Sequence, residues 1–199
     1  MPTWATLSLV TRFESALLYA SQVHQGQRRK GTEIPYIAHI LGVTAIALEY
    51  GASEDEAIGA LLHDAAEDGG GEARLAEIRA RFGDAVGDIV LGCSDSLVEH
   101  PEDKLPWRER KEAYLAHIEH ASESVCLVSA VDKLHNARAI TRDLRMHGDE
   151  VWERFQGKRD GTLWYYDAVA EALARRYRVP LTRDLLREVE ELRHLADNH

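Results

Sequence analysis

The chain has 199 residues, of which 45% are hydrophobic, with a formal charge of −10 and only two cysteines. That is enough apolar sequence for one domain with a proper core, while so acidic a balance argues against wrapping long nucleic acid or docking on an anionic membrane. Cys93 and Cys126 stand in apolar surroundings without metal-ligand spacing, which predicts no disulfide framework and a reducing, cytoplasmic compartment. Residues 1–10 lack the charged start and apolar stretch of a signal peptide, and no run approaches the ~18 apolar residues of a membrane span, so a soluble, unprocessed protein is expected.

Apolar periodicity is helical nearly throughout, and without sustained two-residue alternation it predicts an all-α bundle over 1–199 as a single domain. The helices expected in chain order cover 8–24, 36–50, 54–68, 72–82, 84–92, 107–120, 123–145, 149–178 and 182–196. Their separators are Gly26, Pro35, Gly51, Gly69 to Gly71, Gly83, Pro101, Pro106, Gly148 and Pro180. No repeat or low-complexity linker is visible, and 181–199 reads as an amphipathic packing helix without chemistry of its own.

The third of these helices is the most informative. Ser53 with Glu56 three residues later forms a capping box, and the glycine run 69–71 stops the helix. Its last turns carry His63, Asp64, Glu67 and Asp68, with no Lys or Arg along it. Acidic side chains at a helix C-terminus face the negative end of the macrodipole, so something positive is expected there, and a metal ion fits best. His63 and Glu67 are four apart, as are Asp64 and Asp68, and the two rows lie about 100° from each other, so all four can face one cavity. An exposed acidic turn with an incidental histidine is the bland alternative, but His63 directly follows Ala60, Leu61 and Leu62 at a buried edge.

Two further segments can complete such a site. In the run Pro35 to His39 the proline suits a first helical turn, and His39 lies one turn in, flanked by Ile37, Ile40 and Leu41. Alone it would read as a satisfied core histidine. The apolar run Val125 to Val131 delivers Asp132, which needs either Lys133 as an ion-pair partner or a cation in the cavity, with Asn136 on the same face. His39, His63, Asp64 and Asp132 together supply two imidazoles and two carboxylates, a set suited to a first-row divalent ion with open positions for water. Glu67 and Asp68 are then free for proton transfer. The run Arg28-Arg29-Lys30 would ordinarily be a solvated surface cluster, but in so acidic a chain it has a natural use in binding phosphate. Trp164, Tyr165 and Tyr166 read as core rather than as a base-stacking platform.

With those residues in place the chain resembles the hydrolase domain of RelA/SpoT proteins, a branch of the HD metal-dependent phosphohydrolase superfamily. The resemblance covers roughly 10–175. It is carried by Gln27-Arg28-Arg29-Lys30-Gly31, Pro35-Tyr36-Ile37-Ala38-His39, His63-Asp64-Ala65-Ala66-Glu67-Asp68, Arg81-Phe82-Gly83 and Asp132-Lys133-Leu134-His135-Asn136. With no room for a synthetase half, it is similar to the stand-alone small alarmone hydrolases, including the animal type. The resemblance implies removal of the 3′-pyrophosphate from guanosine tetra- or pentaphosphate, giving GDP or GTP plus pyrophosphate, with manganese as the usual ion. It implies His39, His63, Asp64 and Asp132 as ligands, and Glu67 with Asp68 as the pair that positions and deprotonates water. Arg29 and Lys30 would lie near the nucleotide, with Asn136 and Thr162 lining its pocket. Departures are Ile40 where a proline usually follows the histidine, Gly69 in place of a threonine, and the length of the loop from Lys30 to Pro35. An adenosine alarmone, the 2′-phosphate of NADPH, and a non-catalytic nucleotide sensor are the alternatives; the sensor would be expected to have lost Glu67 or Asp68. A small nucleotide is the expected partner, and the sequence leaves a homo-oligomer open.

Overall fold

A computed structural model describes residues 11–98 and 101–198. The expected start of the first helix at residue 8 and the reading of residues 1–10 lie outside that range. Within it the chain is helical, as expected, and the only extended pairing is an isolated bridge between Arg28 and Pro35. The helices are α1 (Thr11–Val23), α2 (Ile37–Glu49), α3 (Glu54–Leu62), α4 (Gly71–Phe82), α5 (Asp84–Cys93), α6 (Trp107–Ile118), α7 (Glu123–His147), α8 (Lys158–Arg176) and α9 (Pro180–Asp197), with 3-10 turns at Pro101–Asp103 and Gly148–Arg154. No helix among the described residues is long and apolar enough to cross a membrane.

The axis of the bundle is α7, which starts at Ser122, whose hydroxyl accepts from the Val125 N–H. Residues Val125 to Asp132 are all buried, and α2, α3, α5, α8 and α9 pack around this helix. One apolar cluster joins α7, α8 and α9, and a second joins α1, α3, α4 and α5 through Ile58, Leu61, Leu62, Ile78 and Val86. On α9, Leu181, Leu185, Val189, Leu192 and Ala196 recur at helical spacing and are buried, so that segment is the packing helix expected.

Two expected helices end differently. The capping box at Ser53 forms, but α3 ends at Leu62 and 63–70 are turns rather than the last third of a helix. The hydrogen bonds change span there: Ala65 N–H reaches back three residues to Leu62, Asp68 four to Asp64, and Gly71 five to Ala66. Neighbouring side chains of a regular helix do not face each other. His63 and Asp64 do, at 3.0 Å, and the irregular turn is what permits it. The helix expected over 149–178 is also divided, into the 3-10 turn Gly148–Arg154 and α8. The ring of Trp107 lies against the backbone of Gly157 and Gly161, where a Cβ would meet it at 2.7 and 3.2 Å. That close packing fixes the break, together with Lys158 at φ +51°.

Candidate metal centre and active-site cavity

Where the two clusters meet, α2, the turn after α3 and α7 each deliver side chains to one point. His39 Nε2 lies 3.2 Å from Asp132 Oδ1 and 3.6 Å from Asp64 Oδ2, and His63 Nε2 lies 3.5 and 3.0 Å from the same two oxygens. Donor atoms of His39, His63 and Asp64 all fall within 4.8 Å of one another, a group able to hold a metal ion; Asp132 approaches both imidazoles from the α7 side.

The surrounding bonds orient these groups. His63 Nδ1 is 2.9 Å from the Ala60 carbonyl, which can accept its hydrogen, so Nε2 is the nitrogen placed to offer a lone pair to a cation. That Nε2 is buried and has no hydrogen-bond partner; Asp64 Oδ2 at 3.0 Å is close but off the line of the ring nitrogen. A buried, unpartnered nitrogen between two carboxylates is what a cation ligand requires, so the donor set fits a divalent ion. Tyr36 donates its hydroxyl hydrogen to Asp64 Oδ2 at 2.6 Å. Burial, then the charges of Asp64 and Asp68, raises the Tyr36 pKa and keeps it a donor. Lys133 and Asn136 divide Asp132 between them: Lys133 Nζ sits 2.6 Å from Oδ2, and Asn136 Nδ2 donates to Oδ1 at 2.6 Å. The ion pair with Lys133 expected for Asp132 thus forms at one oxygen, while the other accepts from Asn136 and faces the imidazoles.

The electrostatics follow from two buried carboxylates. Burial pulls Asp64 up, but His63 and His39 outweigh it and hold the carboxyl well below its usual range. Asp132 behaves alike, with Lys133 the largest opposing charge. Burial alone would lower His63, yet the Asp64 and Asp132 charges raise it well above the ordinary histidine value. Positive charge is favoured at this point.

Glu67 and Asp68 face the adjoining space without joining the cluster. Glu67 Oε2 accepts from the Asp95 N–H at 3.1 Å and Oε1 lies 3.4 Å from Lys104 Nζ. Burial, then the Asp95 and Asp64 charges, lifts Glu67 to about 7. Asp68 Oδ2 accepts from Gln27 Nε2 at 2.7 Å, and Gln27 Oε1 in turn meets His24 Nδ1 at 2.7 Å. Asp68 is raised mainly by burial, then by Asp64.

A cavity of about 200 Å³ holds Asp64, Asp132, Glu67, Asp68 and Asn136, and a neighbour of about 240 Å³ shares Glu67, Lys111 and Tyr165 with it. Lys30 and Thr162 line the outer one, and Asn136 the inner. Arg29 donates to Asn136 Oδ1 at 2.8 Å and keeps a second buried nitrogen, Nη1, without a partner. Of the four residues expected near the nucleotide, Lys30 and Thr162 thus line the outer cavity and Asn136 the inner, while Arg29 lines neither and reaches the site through its bond to Asn136. The loop that aims the basic pair is ordered by its own bonds, Arg29 N–H to Ile34 and Thr32 N–H to Arg29. The two single-residue departures leave the centre undisturbed: Ile40 is buried core, and a Cβ on Gly69 would meet nothing. Tyr165 and Tyr166 are buried, as expected of core, although their rings also line the outer cavity.

Several groups here were not singled out from sequence. Arg110 and Lys111 both pair with the buried Asp95, whose carboxyl is held at about 2 because Lys111 and Arg110 outweigh burial. Cys93 lines the inner cavity, where burial pushes its thiol up to about 11 and keeps it protonated. Both cysteines are free, in line with the expectation of no disulfide framework.

An HD-domain family model matches residues 16–163. The Drosophila melanogaster guanosine-3′,5′-bis(diphosphate) 3′-pyrophosphohydrolase MESH1 is 33% identical over 155 residues, covering 75% of this chain and 77% of that protein. The bifunctional (p)ppGpp synthase/hydrolase SpoT of Escherichia coli is 31% identical over 137 residues, 66% of this chain but 18% of that protein. A Streptomyces antibioticus GTP pyrophosphokinase is 34% identical over 137 residues and 15% of its length, so the chain spans less than a fifth of these long bacterial relatives. Among solved structures, a metazoan orthologue of SpoT described as hydrolysing ppGpp superposes with TM-score 0.73 at 28% identity, covering 94% of this chain and 97% of that one. A Listeria monocytogenes protein superposes with TM-score 0.64 at 29% identity, over 76% of this chain and 96% of its own. The chain belongs to the HD-domain family.

Proposed function

We propose that this chain hydrolyses guanosine tetra- and pentaphosphate, removing the 3′-pyrophosphate to leave GDP or GTP. The observation that carries the reading is the buried, unpartnered His63 Nε2 set between Asp64 and Asp132, one turn from Glu67, which opens on a cation-lined cavity. The named activities of the fly and bacterial relatives supply the substrate class.

His39, His63, Asp64 and Asp132 would hold the ion, their mixed nitrogen and oxygen set suiting a first-row divalent metal, and the resemblance to RelA/SpoT hydrolases leads us to assign it as manganese. Bound there, a divalent ion supplies Lewis acidity, lowering the pKa of a coordinated water and offsetting charge at the phosphorus. Glu67, lifted to about 7, is matched to accepting a proton near neutral pH, and Asp68 is aimed beside it by Gln27. Water oxygen bonds to the phosphorus next to the 3′ oxygen, the P–O3′ bond breaks, and the 3′ oxygen ends as a hydroxyl. Arg29, Lys30, Asn136 and Thr162 would bind phosphate and sugar, with the free Arg29 Nη1 as a charged donor for one phosphate oxygen.

The retained Glu67 and Asp68 argue against a non-catalytic sensor. We further propose that 1–199 forms one HD-type domain working in the cytoplasm, consistent with its free cysteines. The test is a parallel assay of guanosine tetraphosphate, its adenosine analogue and NADPH with manganese. GDP with pyrophosphate formed fastest from the guanosine compound is expected. Orthophosphate from NADPH, with the guanosine compound untouched, would keep the centre and overturn the substrate.

A further inference from the structure

We propose that His135, seated against the bare backbone of Gly42, is a positioning residue that fixes which nitrogen of His39 faces the metal centre. The inference rests on the reading of His39 as a ligand.

His39 is 1% exposed, and its two nitrogens face opposite neighbours. Nε2 meets the Asp132 and Asp64 oxygens, whereas Nδ1 lies 2.9 Å from His135 Nδ1. Two imidazole nitrogens at that distance share one hydrogen, so one ring donates and the other accepts. If His39 Nε2 is to offer a lone pair to a cation, its hydrogen must sit on Nδ1 and His135 Nδ1 must accept it. His63 solves the same problem with the Ala60 carbonyl three residues back on its own helix. For His39 the corresponding carbonyl, that of Tyr36, already accepts from the N–H groups of His39 and Ile40. The acceptor therefore comes from α7, on the same face as Asp132, three residues away.

Gly42 is what lets the ring reach. A Cβ there would stand 2.3 Å from His135 Nε2 and 2.5 Å from Cδ2, so any side chain at 42 displaces the imidazole. Tyr36, His39 and His135 then form a row of rings with centroids 5.4 and 4.8 Å apart.

The test uses the full chain, stripped of metal with chelator and titrated with manganese by calorimetry, with thermal unfolding of each stripped form recorded alongside. His135→Asn places an amide oxygen at the level of Nδ1, whereas His135→Gln moves it to the level of Nε2. We expect His135→Gln and Gly42→Ala to weaken manganese binding by about 10- to 100-fold, the range for groups that orient a ligand, and His135→Asn to stay near the parent. Parent-like binding by folded His135→Gln, or equal weakening by the Asn and Gln variants, would overturn the proposal. If Gly42→Ala unfolds, the Asn and Gln pair decides. His39→Ala is the reference: its loss of binding with parent-like His135→Gln removes only this inference, while its parent-like binding removes the metal reading on which the inference stands.

Discussion

Lys104→Met isolates the electrostatics of the proposed base. Lys104 Nζ lies 3.4 Å from Glu67 Oε1, with the two side chains 25% and 22% exposed. The substitution keeps the apolar stem and removes a charge that opposes the burial of Glu67. A partly exposed pair of this kind is worth about 1 kcal/mol, which corresponds to about 0.7 of a pKa unit. Glu67 must be ionised to accept a proton, so activity rises with pH through its pKa near 7, and the variant's rising limb should lie about 0.5–1 pH unit higher. Pyrophosphate release measured from pH 5.5 to 9.5 should show kcat/KM about 3- to 10-fold below the parent on the acidic limb, with the pH-dependent part of the gap closing in alkali. A limb that stays in place, or moves to lower pH, would refute Glu67 as the titrating base. The same raised pKa carries a stability sign. Between its ordinary 4.5 and about 7 the folded chain holds a proton that the unfolded chain has lost, so this group's contribution is present below 4.5 and falls as pH rises through 7.

Asp64→Ala should lower metal content, read by elemental analysis, and abolish turnover; full metal content would remove Asp64 from the ligand set. Glu67→Gln should keep metal and nucleotide binding yet slow the chemical step by about 10²- to 10⁴-fold, and undiminished turnover would end its role as base. Arg29→Ala and Lys30→Ala should mainly raise KM in steady-state assays, and an unchanged KM in both would return the cluster to the solvated surface. Asp95, 4% exposed and held at about 2, contributes stability that is present above its ordinary 3.8 and lost as pH falls through 2. Asp95→Asn should therefore cost about 2 kcal/mol in denaturant melts at pH 7, with the difference shrinking below pH 3; a difference that persists in acid would contradict the assignment.

The parts legible in the sequence are those set by local spacing. Alternation of apolar residues at helical period located α2, α5, α7 and α9 to within a few residues, and the Ser53–Glu56 pair marked the start of α3. His63 and Asp132 were identifiable as candidates because each closes an apolar run, where a polar or charged group needs a partner; Asp64 stood out among the acidic residues beside His63, and His39, flanked by Ile37, Ile40 and Leu41, only in combination with them. The end of α3 was not legible, because residues 63–70 keep a helix-like pattern while their bonds span three, four and five residues. The division before α8 depends on Trp107, distant in the chain, pressing on Gly157. The supports of the site were hidden for the same reason. Glu67 meets Lys104 across 37 residues, Asp68 meets Gln27 across 41, and His39 meets His135 across 96. Only the docking of helices sets such pairs. Tyr36 is the exception: lying three residues before His39 on a common face, it could have been singled out as a neighbour of the centre.

The most direct test of the proposed function is to strip the chain with chelator, add guanosine tetraphosphate, and then restore manganese while resolving GDP, pyrophosphate and orthophosphate. The account predicts no turnover by the stripped chain, and GDP with equimolar pyrophosphate once manganese returns. Turnover that survives chelation, or orthophosphate in place of pyrophosphate, would contradict it.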